Sequence, residues 1–255
     1  MNKLERISDV DYFSRPGLNS SKLKKFAKSP AHLKAYESNP PKSSKAFDVG
    51  KMTHGLSLEG ECTWKVVEGD RRKKDVKEAV ADAEGDGFVV VKQEDEDDIK
   101  GMALAVQCHE TGTVITSDPE RAELAGFATC PETGLLLKAK FDWIPAHGPK
   151  IFDLKTIKEG GASPTQFMYS VRDFGYDIQF AHYLYVAQLL GMPKETMTFV
   201  VVEKVPPYAV SVFEFSEEKK AVYIAHYHGL LKKYAKCLAE DNFSECYSPG
   251  IQILK

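Results

Sequence analysis

Two runs decide how this chain reads: Leu135-Leu136-Leu137-Lys138-Ala139-Lys140-Phe141-Asp142-Trp143 and, beyond a turn, Ile151-Phe152-Asp153-Leu154-Lys155-Thr156. Together with residues 121 to 129 they form three short apolar-rich segments. The breaks between them are Pro131-Glu132-Thr133-Gly134 and Pro145-Ala146-His147-Gly148-Pro149, which predicts three consecutive antiparallel strands. Side chains alternate along a strand, so Asp153 and Lys155 share one face while Phe152 and Leu154 turn to the other, buried one. Asp142 and Asp153, eleven residues apart, can reach one spot across such a hairpin. Two carboxylates beside a lysine suit a hard cation such as Mg²⁺ or Mn²⁺, with the Leu154 carbonyl as a further oxygen and the ammonium available to orient water. The plainer alternative is a pair of surface carboxylates with a cross-strand ion pair to Lys155.

Downstream, Ser163-Pro164 matches a helix start, and Gly175 separates this helix from a second running from about Tyr176 to Leu190. Ile178, Ala181, Tyr185 and Leu189 form the buried stripe of the second helix. Tyr176, Gln179 and Tyr183, spaced i, i+3, i+7, form a polar-aromatic stripe beside it that faces a groove or rims the core. Strands around 196 to 204 and 208 to 215, joined through Pro206-Pro207, and a helix over 216 to 239 complete the pattern.

Upstream, Ile99, Met102, Ala103 and Val106 predict an amphipathic helix from Asp95 to about Thr111, with the acidic run Glu94 to Asp98 at its dipole-favoured start. Residues 60 to 92 are mixed and contain the basic cluster Arg71-Arg72-Lys73-Lys74. Residues 1 to 60 read as helical pieces. One stretch, beginning with the capping residues Asn19-Ser20-Ser21 and interrupted by Pro30, carries Lys22, Lys24, Lys25, Lys28 and Lys34 as a solvated face or a phosphate-facing one. Gly50 and His54 are i, i+4 on a helix where glycines permit close approach, His54 being either a ligand or a hydrogen-bonded structural residue. No internal repeat is visible, and one α/β domain over 1–255 is the simplest account, with a basic helical section at 1–60 and a catalytic core at 95–215.

The composition, 43% apolar and 28% charged, excludes disorder. Five cysteines without a Cys-x-x-Cys pair argue against structural zinc, an iron–sulfur cluster or a disulfide scaffold. No apolar run reaches the roughly 18 residues of a membrane span and the start lacks a signal peptide, so a cytoplasmic protein with no membrane partner is expected. A net charge of −3 argues at first against nucleic acid, but it is uneven. Residues 1–54 hold eleven Lys or Arg against five Asp or Glu, a net +6 that leaves −9 for the remainder.

His54, Asp142, Asp153-x-Lys155 and Gln179-x-x-x-Tyr183, in that order, resemble the PD-(D/E)XK nuclease superfamily in its RecB-like branch. The Leu18-Asn19-Ser20-Ser21-Lys22-Leu23, Ser29-Pro30-Ala31-His32, Gly50-x-x-x-His54 and Thr133-Gly134 segments look like the exonuclease VIII (RecE-type) exodeoxyribonucleases of phages and prophages. The resemblance spans about residues 15 to 205. It implies a restriction-endonuclease-like α/β core: a central mixed β-sheet flanked by helices, with a helical N-terminal section. It also implies Mg²⁺-dependent digestion of linear double-stranded DNA, typically 5′ to 3′, leaving a single strand for an annealing protein in recombination. Assembly into a ring of like subunits belongs to the same picture.

Carried over by position, the resemblance makes Asp142, Asp153, His54 and the Leu154 carbonyl metal ligands. Lys155 positions water, Gln179 holds Lys155 or the attacked phosphate, and Tyr183 contacts the DNA backbone. Glu123 serves a second metal or water, or is an exposed edge carboxylate. Lys22, Lys25, Arg71, Arg72 and Tyr176 are the candidate DNA contacts. Phe141 stands where the superfamily's name motif has proline. Competing readings are a Cas4-like or helicase-associated nuclease, a restriction-type endonuclease, a catalytically silent DNA-binding module of the same fold, and an α/β protein unrelated to nucleic acid.

Overall fold

The computed structural model describes residues 4–40, 45–61, 63–70 and 72–247, with 45–47 as backbone. Arg71, one of the expected DNA contacts, lies outside the described residues. The chain runs β1 (Glu5–Arg6), α1 (Asp9–Ser14), α2 (Ser20–Lys28), α3 (Pro30–Ser38), α4 (Lys45–His54), a π-helical turn (Gly55–Glu59), β2 (Trp64–Val66), α5 (Lys74–Gly85) and β3 (Val89–Val91). It continues through α6 (Gln93–Cys108), α7 (Glu110–Thr116), a 3₁₀ turn (Pro119–Arg121), β4 (Ala122–Thr129), β5 (Leu136–Trp143) and β6 (Lys150–Ile157). The last elements are α8 (Pro164–Phe174), α9 (Tyr176–Leu189), β7 (Thr196–Glu203), β8 (Val210–Phe213) and α10 (Glu217–Ala239).

Local chemistry explains the boundaries. Asn19 accepts the Lys22 amide to cap α2, and Ser29 accepts the His32 amide to cap α3, with Pro30 in its first turn. Gly175, at φ 64°, takes the left-handed conformation that ends α8 and starts α9. A β-carbon there would meet Lys24 Cγ at 2.9 Å, so glycine also lets α2 close on this junction.

The main sheet has the order β1-β4-β5-β6-β7-β8. All neighbours are antiparallel except β6 and β7, which pair in parallel over Lys150–Ile157 and Thr196–Glu203. Strands β2 and β3 form a separate two-stranded parallel sheet. Strand β7 is buried along its whole length, as a central strand covered on both faces must be. One face, with Phe141, Ile151, Phe199 and Val201, packs under α2, α8, α9 and α10 around Phe26, Phe167, Phe180 and Tyr227. The other face, with Phe152, Leu154, Val200 and Val202, packs against Met52 of α4 and Ile99, Met102 and Val106 of α6. This is the expected mixed sheet flanked by helices.

One expectation changes. Strands β4 and β5 pair along their length, but β5 and β6 pair at Trp143–Phe152 and then part. The reason lies in where the backbone groups of β5 go. Leu18 donates its amide to the Leu136 carbonyl at 2.8 Å and accepts that of Lys138 at 3.0 Å. His182 of α9 meets the Lys138 carbonyl through Nε2 at 2.9 Å, and the Tyr183 hydroxyl donates to the Lys140 carbonyl at 2.7 Å. Side chains of α9 therefore wedge a sheet that a simple hairpin would have closed, and polar residues gather in the opening.

Candidate active site

Asp142 sits where β5 and β6 begin to part, and its Oδ2 accepts the Leu154 amide at 2.9 Å. The side chain thus replaces a ladder hydrogen bond. His54, at the last turn of α4, brings Nδ1 to 3.5 Å from the same oxygen and also interacts with the Leu154 main chain. Helix α4 comes this close because Gly50 is its contact point with β6: a β-carbon there would stand 3.0 Å from Thr156 Oγ1. Glu123, on β4, adopts φ 52°, a left-handed conformation costly for a residue with a β-carbon, and its carboxylate joins the group. One ligand atom each from His54, Glu123 and Asp142 lies within 4.8 Å of the others. One imidazole and two carboxylates around a main-chain segment form a donor set suited to a hard divalent cation.

The electrostatics favour such an ion. Burial, followed by the neighbouring charge of Asp153, holds the Asp142 carboxyl well above the usual range despite the opposing charge of Lys155. Burial lowers His54 below its ordinary value, keeping the imidazole neutral and able to present a lone pair. Lys140 bridges Glu123 at 2.9 Å and Asp9 of α1 at 2.6 Å, fixing the outer edge.

Asp153 is fully buried on the adjoining side. Lys155 Nζ is in ion-pair contact with its Oδ2, and Gln179 Nε2 donates to its Oδ1 at 2.6 Å. Burial opposes the charge on Lys155, but Asp153 and then Asp142 outweigh it and raise its pKa, so this ammonium stays protonated. Gln179 Oε1 accepts from Lys24 Nζ at 2.9 Å. Lys24 is pushed down to about 7, first by burial and then by the charge of Lys155. The Tyr176 ring is near both ammonium groups, 4.9 Å from Lys155 Nζ and 5.3 Å from Lys24 Nζ.

Residues 19–248 match the family described as a PDDEXK-like domain of unknown function (DUF3799). The chain belongs to this family. A candidate exonuclease from Eubacterium rectale, 14% identical, aligns over 97% of both chains with a TM-score of 0.62 and shares the fold. A phage-related exonuclease from Haemophilus somnus 129PT is 13% identical over 91% of this chain and 99% of its own, with a TM-score of 0.37. No curated protein sequence matches the chain. The expected PD-(D/E)XK architecture is borne out at the level of family and fold.

Within the PDDEXK-like frame, Asp142, His54, Glu123 and the Leu154 main chain come together, and Asp153, Lys155, Gln179 and Tyr176 adjoin them. Two positions differ from expectation, and at a third, Glu123, the structure favours one of the two alternatives. Gln179 engages Asp153 and Lys24 rather than Lys155, because α9 faces the inner side of β6. The Tyr183 hydroxyl donates to the Lys140 carbonyl from a buried position, so it fills the wedge between strands. Glu123 is no edge carboxylate: the β4–β5 register sets it opposite Asp142, and its carboxylate gathers with His54 and Asp142.

Of the expected DNA contacts, Lys22 pairs with Glu37 at 2.8 Å and Arg72 pairs with Asp70 at 2.8 Å, while Lys25 lies 5.3 Å from the Tyr36 ring. Lys24, which the sequence shows only as one of several lysines on its helix, joins the site. Its signal was present: Ser20, Leu23, Lys24 and Ala27 follow the i, i+3, i+4, i+7 pattern of an inward helix face.

Proposed function

We propose that the protein is a divalent-metal-dependent exodeoxyribonuclease that digests linear double-stranded DNA from its ends, 5′ to 3′. The strand left behind would pass to an annealing protein in phage-type recombination. The observation that carries this reading is the convergence of His54, Glu123 and Asp142 within 4.8 Å, in a PDDEXK-like fold, beside a buried Asp153 in contact with a charged Lys155. The candidate exonuclease from Eubacterium rectale with the same fold supports it.

His54, Glu123, Asp142 and the Leu154 carbonyl would hold Mg²⁺, with Asp153 beside them. When bound, the ion would lower the pKa of water and neutralise charge developing on the phosphate. The chain's own residues supply the rest. Neutral His54 offers a lone pair without a competing proton, whereas Asp142 must release its proton before it can ligate. Lys155, kept protonated by two carboxylates, presents N–H donors to an attacking water or to a phosphate oxygen. Gln179 holds Asp153 in one orientation, so Lys155 keeps its place. Tyr176 supplies an aromatic face to that ammonium without neutralising it.

The test uses linear duplexes labelled at the 5′ or the 3′ end, with nicked and covalently closed circles for comparison, in Mg²⁺ or Mn²⁺. Digestion of linear DNA from 5′ ends, abolished in Asp153→Ala and Lys155→Ala proteins that remain folded, is expected. Cutting of closed circles, or undiminished cleavage by either variant, overturns the reading.

A further inference from the structure

A groove of about 510 Å³ runs beside the site, between α2 and the α8–α9 junction. Lys24, Lys25 and Lys28 line one wall, Arg172 and Phe174 the other, and His226 of α10 closes one side. Asp173 and Asp177 also border it, leaving four permanent or partly protonated cations against two carboxylates. Asp173 already pairs with Arg172 Nε at 3.3 Å. Among the described residues, Lys24, Lys25 and Lys28 form no ion pair with a carboxylate.

The second feature is aromatic. Phe174, the last residue of α8, is 59% exposed. Its ring stacks on Tyr176 at 5.7 Å with a 30° interplanar angle, and Tyr176 in turn faces Lys155 and Lys24. Tyr169, one turn back on α8 and 49% exposed, carries the Arg172 guanidinium 5.5 Å above its ring. Solvent-facing rings interleaved with cations, leading inward to a catalytic lysine, form the combination that receives unpaired nucleic acid: cations track phosphates while rings stack on bases. Lys24 belongs to both places, lining the groove and hydrogen-bonding Gln179, which holds Asp153.

We infer that this groove carries the unpaired end of the DNA strand being cut, with Phe174 as the platform on which its bases stack. Lys28 and Arg172 contact its phosphates. The inference rests on the nuclease reading above and adds a strand path and two side chains to it. A base leaving a duplex end loses its stacking partner, and Phe174 replaces that partner at the mouth of the site.

The probe is a duplex with a short 5′ single-stranded tail carrying 2-aminopurine at its second nucleotide, bound in EDTA so that no turnover occurs. Wild-type protein should quench the fluorophore. Phe174→Ala should abolish the quenching and weaken binding roughly tenfold, while Phe174→Trp keeps both, which separates stacking from a folding defect. Arg172→Gln should lower the slope of log affinity against log salt by about 0.7. Wild-type protein that neither cleaves linear duplex in Mg²⁺ nor binds the tailed probe overturns the nuclease reading and this inference with it. Cleavage by wild type, together with unchanged quenching, affinity and salt slope in Phe174→Ala and Arg172→Gln, overturns the groove alone.

Discussion

Asp142 Oδ2 accepts the Leu154 amide at 2.9 Å, so a candidate metal ligand also closes the ladder at the point where β5 and β6 separate. The two roles can be pulled apart. Asn in this position keeps an acceptor oxygen but no negative charge; Ala leaves a buried amide unmet, at a cost of about 1–3 kcal/mol. Asp142→Asn should melt close to wild type in EDTA, whereas Asp142→Ala should melt several degrees lower, since about 1 kcal/mol corresponds to roughly 2–4 °C in a chain of this size. Both should lose stabilisation by Mg²⁺. Thermal unfolding with and without the ion checks this, and equal melting of the two variants in EDTA would count against the ladder role.

The contribution of Asp142 to metal-free stability should fall as pH rises. Folding raises the Asp142 pKa, so the carboxyl contributes stability while protonated and loses it as pH passes through the raised value. His54 behaves oppositely: its lowered pKa gives stability that is present above about pH 6.5 and lost on acidification through the lowered value. The difference between wild type and Asp142→Asn isolates the Asp142 contribution. A bound cation replaces the proton, so the rise in melting temperature caused by Mg²⁺ or Mn²⁺ should be larger at pH 8 than at pH 6. A metal effect independent of pH would contradict the assignment.

Lys24 should take up a proton when DNA binds. With its pKa near 7 it is only partly charged at pH 7.5, and a phosphate in the adjoining groove favours the ammonium. Calorimetry in buffers of different ionisation enthalpy should show net uptake by wild type that disappears in Lys24→Met. Because a lysine with a depressed pKa loses stability as pH falls through that value, Lys24→Met should also gain most, relative to wild type, at about pH 6 and least at pH 9. Equal proton uptake by both proteins would assign the titration elsewhere.

The legible part of this fold is the part governed by short periods. Strand β6 with its alternating Asp153 and Lys155, the Gly175 break between α8 and α9, and the acidic start of α6 follow from residue spacing alone. Order along the chain was enough to suggest the family. The split between β5 and β6 was not legible, because it depends on side chains from α9, some forty residues later, taking the Lys138 and Lys140 carbonyls. Glu123 is hard to place for a related reason: what brings it to the site is the β4–β5 register, which sets it opposite Asp142 and which residue spacing alone does not fix. In Lys24, the positive charge masked an inward position that the helix period contained.

Tyr183 offers the last test, because two roles for it predict opposite results. Its hydroxyl donates to the Lys140 carbonyl at 2.7 Å, and its ring packs edge-on to Phe141 at 5.1 Å. Tyr183→Phe preserves the ring and removes the donor, leaving a buried carbonyl of β5 without that partner at a cost of about 1–3 kcal/mol. The expected variant melts several degrees below wild type yet keeps its metal-dependent melting shift and, assayed well below its melting point, its cleavage of linear duplex. If the hydroxyl instead contacts the DNA backbone, the melting temperature stays near that of wild type while KM for DNA rises. Measuring both quantities on one preparation decides whether α9 holds the strands apart through Tyr183 or grips the substrate with it.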